Sequence, residues 1–594
     1  MTPHDLIAAF DDMADGPDGV KRLRELVLQL AVRGKLVHQD PADEPAVKLL
    51  DRIAKVKSQQ VKEGKVRANK LELHVNLANV PFEIPDGWIW TRAAAIGWVN
   101  PRNQVADNAD VGFVPMPLMP IDYRASVQWE TRRWSEVKTG FTHFATGDVA
   151  VAKITPCFQN RKSCVMQDLP NGYGAGTTEL QILRLLPGTL EARYMLAFFK
   201  TPDFISGGVA TMSGTAGQQR VSNDYFANRP VPLPPLAEQH RIVAKVDELM
   251  AFLDKLEAAK NARDATRTAL RDAALAGLRD ADGHDDVEVA WGRIAGQMDD
   301  LFAEPGDVGP LRQAVLQLAV RGRLVRQDPG DEPAGKLLRR LAAHKAKVGR
   351  ATRAFTGTAI EATPADVAVP ASWAHCALDD IIDPLRPISY GVLVPGAHES
   401  EGIPLVRVAE LHPRHPVFQP EKSILASVAA DYLRIRLQGD ELLLGVVGSI
   451  GKVGVAHPNW AGAVIARAVA RIAVADGMLR DFVLLVLQAP VTQAFFHGST
   501  RTLAQPTLNV SLIRQLPVSI PPLAEQHRIV AKVDELMDLL DKLEARLREA
   551  KGLQGAFAAA AVHHLDVDVA ADLLTASPAN DGVDFQQRQP IVFV

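Results

Sequence analysis

The sequence predicts an α+β protein: two mixed, strand-rich globular domains joined by long helices that form an antiparallel coiled coil, related by a pseudo-two-fold tandem duplication. Three observations carry this. Residues 234–258 (PPLAEQHRIVAKVDELMAFLDKLEA) recur at 521–545, with only Ala251 and Phe252 changed, to Asp538 and Leu539. Residues 23–50 (LRELVLQLAVRGKLVHQDPADEPAVKLL) recur at 311–338 as LRQAVLQLAVRGRLVRQDPGDEPAGKLL, and Asp11 and Asp12 ahead of them match Asp299 and Asp300. Between these blocks lie two stretches that differ almost throughout and are broken by Gly, Pro and Asn into short apolar segments, the texture of strands.

In chain order, residues 1–79 read as a helical region. Gly34 and Gly322 follow an apolar periodic run and are expected to cap it; the repeated Gln-Asp-Pro then turns the chain. Basic stretches follow in both copies: Lys55, Lys57, Lys62, Lys65, Arg67 and Lys70, then Arg339, Arg340, Lys345, Lys347, Arg350 and Arg353. They suit either a solvated helix face or phosphate contacts, which place a protein on DNA without reading its sequence. Residues 80–233 form the first strand-rich domain, entered through PFEIPDGWIW, and residues 364–520 the second, entered near Trp373. The central helix spans 234–280 and the C-terminal helix 521–565. Residues 281–363 hold a linker, acidic and polar over 280–292, and the repeated helical region; 566–594 are a tail without periodicity.

Each long helix opens on Pro-Pro, tolerated in a first turn. Apolar residues then fall at Ile242, Val246, Leu249, Leu253 and Leu256, and again at Ile529, Val533, Leu536, Leu540 and Leu543, a coiled-coil seam. Packing accounts for those positions. The residues read as solvent-facing recur as well: Glu238, Gln239, His240, Arg241, Lys245, Asp247 and Glu248, matched by Glu525, Gln526, His527, Arg528, Lys532, Asp534 and Glu535. Two identical polar faces imply two copies of one partner protein, or a recent duplication that has not yet diverged.

At 594 residues the chain holds several domains, and 47% hydrophobic with 23% charged residues is ordinary for a soluble protein. A net charge of −4 and a pI near 6.5 argue against coating nucleic acid through bulk charge, while leaving room for a local basic groove. Three cysteines, Cys157, Cys164 and Cys376, form no disulfide framework and suit a reducing, cytoplasmic setting. No apolar run is long enough for a membrane. The glycine-rich run 445–454 has the wrong spacing for a phosphate-binding loop, and Val453 stands where Ser or Thr would hold magnesium. No GxSxG or HExxH occurs. No Asn-Pro-Pro-aromatic or Asp-Pro-Pro-aromatic segment occurs either, and His412, His415, His563 and His564 lack the spacing of metal ligands. The expectation is a chain that catalyses nothing alone.

The repeated Pro-Pro-Leu-Ala-Glu-Gln-His-Arg-Ile-Val helix around two divergent domains resembles the specificity subunit of type I restriction–modification enzymes. The Trp-bearing domain entry, GDVAVAKITPC at 147–157 and VGSIGKV at 447–453 are also like that family. The resemblance implies that each globular domain is a target recognition domain reading one half of a split sequence in double-stranded DNA. It implies helices that space the domains and dock two methyltransferase subunits, with two restriction subunits completing the enzyme. S-adenosylmethionine, ATP and magnesium would belong to those partners, and no cofactor to this chain. The alternatives are a specificity subunit serving a fused methyltransferase–nuclease and a helical scaffold that binds no DNA.

Candidate DNA contacts are Lys153, Thr155, Gln159, Asn160, Arg161 and Lys162 in the first domain, and Tyr390, Arg407, Ser449 and Lys452 in the second, combining phosphate donors with groups that reach base edges. Candidate partner contacts are Glu238, Gln239, Arg241, Lys245 and Glu248 with Glu525, Gln526, Arg528, Lys532 and Glu535. The roughly 28 residues after each Pro-Pro span about 40 Å as helix, close to the ~34 Å of one DNA turn. The expected target is bipartite and asymmetric, with an unread spacer that lengthens if the helix pair is lengthened.

Overall fold

A computed structural model describes residues 13–16, 18–63, 80–215, 217–348, 368–498 and 507–568. Asp11, Asp12, Lys65, Arg67, Lys70, Arg350, Arg353 and the segment 569–594 lie outside them, and the side chains of His563 and His564 are not described. The chain divides into two compact units, Met1–Arg263 with Lys551–Val594, and Asp264–Ala550.

Unit 1 opens with helices α1 (Gly19–Val32) and α2 (Ala46–Lys62). Its domain follows with β1 (Ile89–Arg92), β2 (Gly97–Val99), β3 (Asp110–Val114), β4 (Glu130–Arg133) and β5 (Thr142–Ala145). Then come β6 (Val149–Ala152), β7 (Ser163–Val165), β8 (Tyr173–Gly176), β9 (Leu180–Leu185) and β10 (Pro230–Leu233). One sheet has the antiparallel order β2-β9-β6-β7; the other, β4-β3-β8-β5, joins β3 to β8 in parallel. β1 and β10 pair antiparallel, Ile89 opposite Leu233. This ladder closes the domain at a neck and delivers the chain into α3 (Leu236–Asp280).

Unit 2 repeats the plan with helices α4 (Val308–Val320) and α5 (Ala334–Lys347). Its strands are β11 (Ala374–Ala377), β12 (Ser389–Tyr390), β13 (Ile403–Val406), β14 (Lys422–Ile424), β15 (Leu442–Gly445), β16 (Val453–Val455), β17 (Val464–Ile465), β18 (Val469–Ile472) and β19 (Pro517–Ile520). The sheet β12-β18-β15-β16 answers β2-β9-β6-β7, and β14-β13-β17 answers β4-β3-β8, including the parallel pair. The β11–β19 neck sets Ala374 opposite Ile520 and leads into α6 (Leu523–Asp568). Two domains that look alike only in outline as sequences therefore share most of one strand topology, β5 having no counterpart among the described residues of unit 2.

Over its first turns, the seam of each long helix is closed by the repeated N-terminal block of the same unit. Ile242, Val246 and Leu253 share a buried core with Leu23, Val27 and Leu30 of α1 and with Tyr194 and Phe199. Ile529, Val533 and Leu540 share one with Leu311, Val315 and Leu318 of α4 and with Phe482. Each unit is completed by the last turns of the long helix that starts in the other: Arg22 donates to Gly555 O at 3.3 Å in unit 1, and Leu275 and Leu278 enter the core of unit 2.

The acidic stretch expected to be a linker is helical over His284–Gly296. Val287 and Ile294, seven residues apart, are buried, and Asp285 and Asp286 occupy the first turn, where the helix dipole favours negative charge. Gly34 and Gly322 both adopt φ +69°, and a Cβ on either would run into the proline and tryptophan of the domain entry, Pro85 and Trp88 or Pro370 and Trp373. Two residues of the basic stretches are internal. Lys57 donates to Ala94 O at 2.5 Å and Gly97 O at 2.7 Å, and Lys345 donates to Asp379 O. Burial pushes the Lys57 amine down to about 8.

Candidate functional site

In each domain two segments far apart in sequence come together. After β6 the chain runs through Lys153–Thr155, where Val221 N donates to Lys153 O at 2.9 Å and Thr155 N donates to Gln219 O at 2.9 Å. The Thr155 hydroxyl accepts from Gln219 N at 3.1 Å, which fixes its orientation. After β15 the chain makes the matching contact: Leu508 N donates to Val446 O at 2.9 Å, and Val447 bridges Thr507. The Tyr390 hydroxyl donates to Leu508 O at 2.6 Å, so Tyr390 braces this junction.

The candidate DNA contacts divide into outward and inward groups. Gln159, Asn160 and Ser449 are exposed, and Lys153 is half-buried. Arg161 turns back: with φ 58° its guanidinium meets Glu25 of α1 at 2.6 Å. Lys162 Nζ donates to Met116 O at 2.9 Å. In the second domain Arg407 is held by Glu410 and Glu421, and Lys452 Nζ donates to Ala409 O at 3.1 Å. Gln159, Asn160 and Arg161 line a cleft of about 410 Å³ with Lys21, Arg24 and Lys200. Lys200 Nζ donates to Ile121 O at 2.6 Å and Arg161 O at 2.9 Å, and burial pushes its amine down to about 7.

The matched polar residues of the long helices are not all on a solvent face, and here the sequence reading needs correction. Glu238 and Gln239 are 1% and 0% exposed, and Glu525 and Gln526 both 0%. Trp88 Nε1 donates to Glu238 Oε2 at 3.0 Å and Gln39 Nε2 to Oε1 at 3.0 Å. Trp373 Nε1 donates to Glu525 Oε1 at 3.0 Å and Gln327 Nε2 to the same oxygen at 2.6 Å. Gln239 Oε1 accepts from Glu191 N at 2.9 Å, and Gln526 Oε1 from Leu479 N at 3.0 Å. Arg241 pairs with Asp43 at 2.6 Å, and Arg528 with Asp331 at 2.6 Å. These residues recur because one brace is built twice, tying helix start, domain neck and repeated block. Its other members, Gln39, Asp43 and Trp88 with Gln327, Asp331 and Trp373, are not singled out as contact residues by the sequence, although the repeated segments 39–45 and 327–333 and the Trp entry hold them. Lys245–Glu248 and Lys532–Glu535 remain outward, as i,i+3 pairs at 3.0 Å and 2.9 Å.

Burial raises the Glu238 and Glu525 carboxyls above the ordinary carboxylate range, against the hydrogen bonds they accept. A raised carboxyl contributes most in acid, and its contribution is lost as pH rises through the folded-state value. Glu525 Oε2 finds no partner among the described residues, whereas both Glu238 oxygens are used. Glu525→Gln is therefore expected to hold or raise stability at pH 7, with any gain fading toward pH ~4. Glu238→Gln turns an amide N–H against a donor and is expected to cost about 1–3 kcal/mol. Urea melts at the two pH values check both; equal costs would contradict the asymmetry.

Among the described residues no group of three His, Cys, Asp or Glu side chains is placed to hold a metal, and no helix is long and apolar enough to cross a membrane. No known family model matches the chain. Two curated relatives from Escherichia coli match nearly all of it. The type I restriction enzyme EcoAI specificity subunit is 35% identical over 558 residues, 90% of this chain and 92% of its own length. The EcoEI specificity subunit is 34% identical over 546 residues, with the same coverage of 90% and 92%. A solved structure concerned with complex assembly and conformational transition of the type I R-M system superposes at TM-score 0.50 and 18% identity, over 82% of this chain and 99% of its own. Fold and brace define a duplicated protein with two divergent domains on a repeated helical frame. The chain belongs to the specificity subunits of type I restriction enzymes.

Proposed function

We propose that the chain reads a bipartite sequence in double-stranded DNA, one half with each strand-rich domain, as the non-catalytic subunit of a complex holding two methyltransferase and two restriction subunits. S-adenosylmethionine, ATP and magnesium are used by those partners. The observation that carries this reading is the pairing of closely similar strand topologies with two different junctions, at Lys153–Thr155 and Val446–Ser449, in domains whose necks carry equivalent braces. A fixed mount with variable faces suits two different readings by one machine. Exposed Gln159, Asn160 and Ser449 are the side chains best placed to meet DNA without first breaking an internal bond. Arg161, Lys162, Tyr390, Arg407 and Lys452 then act first by shaping their loops. The ~68 Å rise of a 45-residue helix is ample for spacing two half-sites about one DNA turn apart.

Methylation-sensitive sequencing of DNA from cells with and without this gene tests the reading: a split motif that disappears with the gene is the expected result, and an unchanged methylome overturns it. Docking of methyltransferase subunits is assigned to the outward repeats Lys245, Glu248, Lys532 and Glu535. Lys245→Glu with Lys532→Glu is expected to weaken co-purification of the methyltransferase while leaving the melting temperature of the chain within a few degrees, the usual range for surface changes. Unaltered assembly would place docking elsewhere.

A further inference from the structure

Asp254 and Asp541 stand at equivalent places on the two long helices, and each carries two arginines. In unit 1, Arg24 of α1 meets Asp254 Oδ1 at 2.7 Å and Glu257 Oε2 at 2.8 Å, while Arg124 meets Asp254 Oδ2 at 2.7 Å. In unit 2, Arg312 of α4 meets Asp541 Oδ1 at 2.7 Å and Glu544 Oε2 at 2.9 Å, while Arg414 meets Asp541 Oδ2 at 3.0 Å and pairs also with Asp538, which stands where unit 1 has Ala251. Arg24, Asp254 and Glu257 belong to the repeated blocks, so their recurrence as Arg312, Asp541 and Glu544 is plain from the sequence. Arg124 and Arg414 do not. They lie in PIDYRAS and HPRHPVF, which share no motif.

The fold nevertheless puts them in one place. Arg124 follows β3 and the short turn Met116–Leu118 and precedes β4; Arg414 follows β13 and Val408–Glu410 and precedes β14. Each backbone N–H donates to a side chain two residues earlier, Arg124 to Asp122 Oδ1 at 3.2 Å and Arg414 to His412 Nδ1 at 3.2 Å. One turn is thus built from different residues and aims an arginine at the same carboxylate.

We propose that Arg124 and Arg414 are positioning residues that set the angle of each strand-rich domain on its helical frame. The neck ladder and the packing of Tyr194 and Phe199, or of Phe482, against the long helix hold each domain on its frame, and the arginine adds a directed contact at the side of that attachment. The shared carboxylate offers one oxygen to the frame and the other to the domain, so a turn of the domain breaks the single Arg124 bond in unit 1 or the Arg414 bonds to Asp541 and Asp538 in unit 2. Partly exposed ion pairs add little net stability, which suits a device for orientation. The consequence for DNA rests on the function proposed above: a domain free to swing presents its half-site readers less sharply. A domain exchanged into this frame would need to bring its arginine with it.

The test uses the full chain with Cys157→Ser, leaving buried thiols at Cys164 and Cys376. Nitroxide pairs at exposed positions report unit 1 (Glu136→Cys with Ala258→Cys) and unit 2 (Glu401→Cys with Ala545→Cys). Arg124→Ala is expected to broaden the first distance distribution and spare the second; Arg414→Ala does the reverse. Arg→Lys broadens less, and molar salt broadens both in the parent by screening. Unchanged distributions in both Ala variants overturn the proposal. So does a lower melting temperature with unchanged distances, which would make the bridge merely structural. These readouts need no DNA, so they stand even if the methylome test fails. Where a split motif is found, Arg124→Ala is expected to relax methylation selectivity at one half only, and equal loss at both halves counts against the positioning role.

Discussion

Replacing Glu238 and Glu525 together by lysine is expected to prevent both helix starts from folding, rather than to detach a partner from a folded chain. Each carboxylate is at most 1% exposed and faces the indole N–H of a neck tryptophan and a glutamine amide from the repeated block. A lysine at either place sets a charged donor against existing donors in a buried site. Breaking a buried charged network in this way costs about 3–5 kcal/mol per site, against a total of about 5–15 kcal/mol for a domain. Soluble expression and the cooperative thermal transition should both be lost. A folded double variant with an ordinary melt would show that the internal brace carries little energy and that these positions are free for a partner after all.

That outcome bears on how far the chain could be read before it was folded. The duplication, the helix starts and the caps at Gly34 and Gly322 were legible because each depends on neighbours in sequence. The inward aim of Glu238 was legible too, but overlooked: it stands four residues before buried Ile242 and eight before buried Val246, on the same helical face as the seam. What could not be read is what that face meets, because Trp88 and Gln39 are brought there by the neck and by α1. The recognition domains hid more. Strands of two to six residues leave little periodicity, and the parallel pairing of β3 with β8 is set by packing at long range. Arg161 shows the same limit at one residue, since a positive φ reverses the aim of a side chain that composition alone had pointed outward. Arg124 and Arg414 show it across domains, where equivalence lives in topology and in no shared word of sequence.

Truncating the neck tryptophans should be nearly as damaging, and here the two units are expected to differ. Trp88 and Trp373 are 8% and 7% exposed. They meet Tyr194 and Phe482 edge-on, with ring centroids 6.3 Å and 6.1 Å apart. Trp→Ala empties a core site of this size at about 3–5 kcal/mol and strips a donor from the buried glutamate. Trp→Phe keeps most of the packing and isolates the donor. In unit 1 that change leaves Glu238 Oε2 without the indole partner, a cost of about 1–3 kcal/mol. In unit 2 Trp373 and Gln327 donate to the same oxygen, so Trp373→Phe leaves Oε1 satisfied and is expected to cost less. Hydrogen exchange followed by peptide mass analysis resolves the two units within one chain. Protection should fall around α1 and the start of α3 in Trp88→Phe, and by a smaller factor around α4 and the start of α6 in Trp373→Phe. Equal losses would mean that the ring, and not its hydrogen bond, is what the brace depends on, and the recurrence of Glu238 as Glu525 would then need a reason outside the fold.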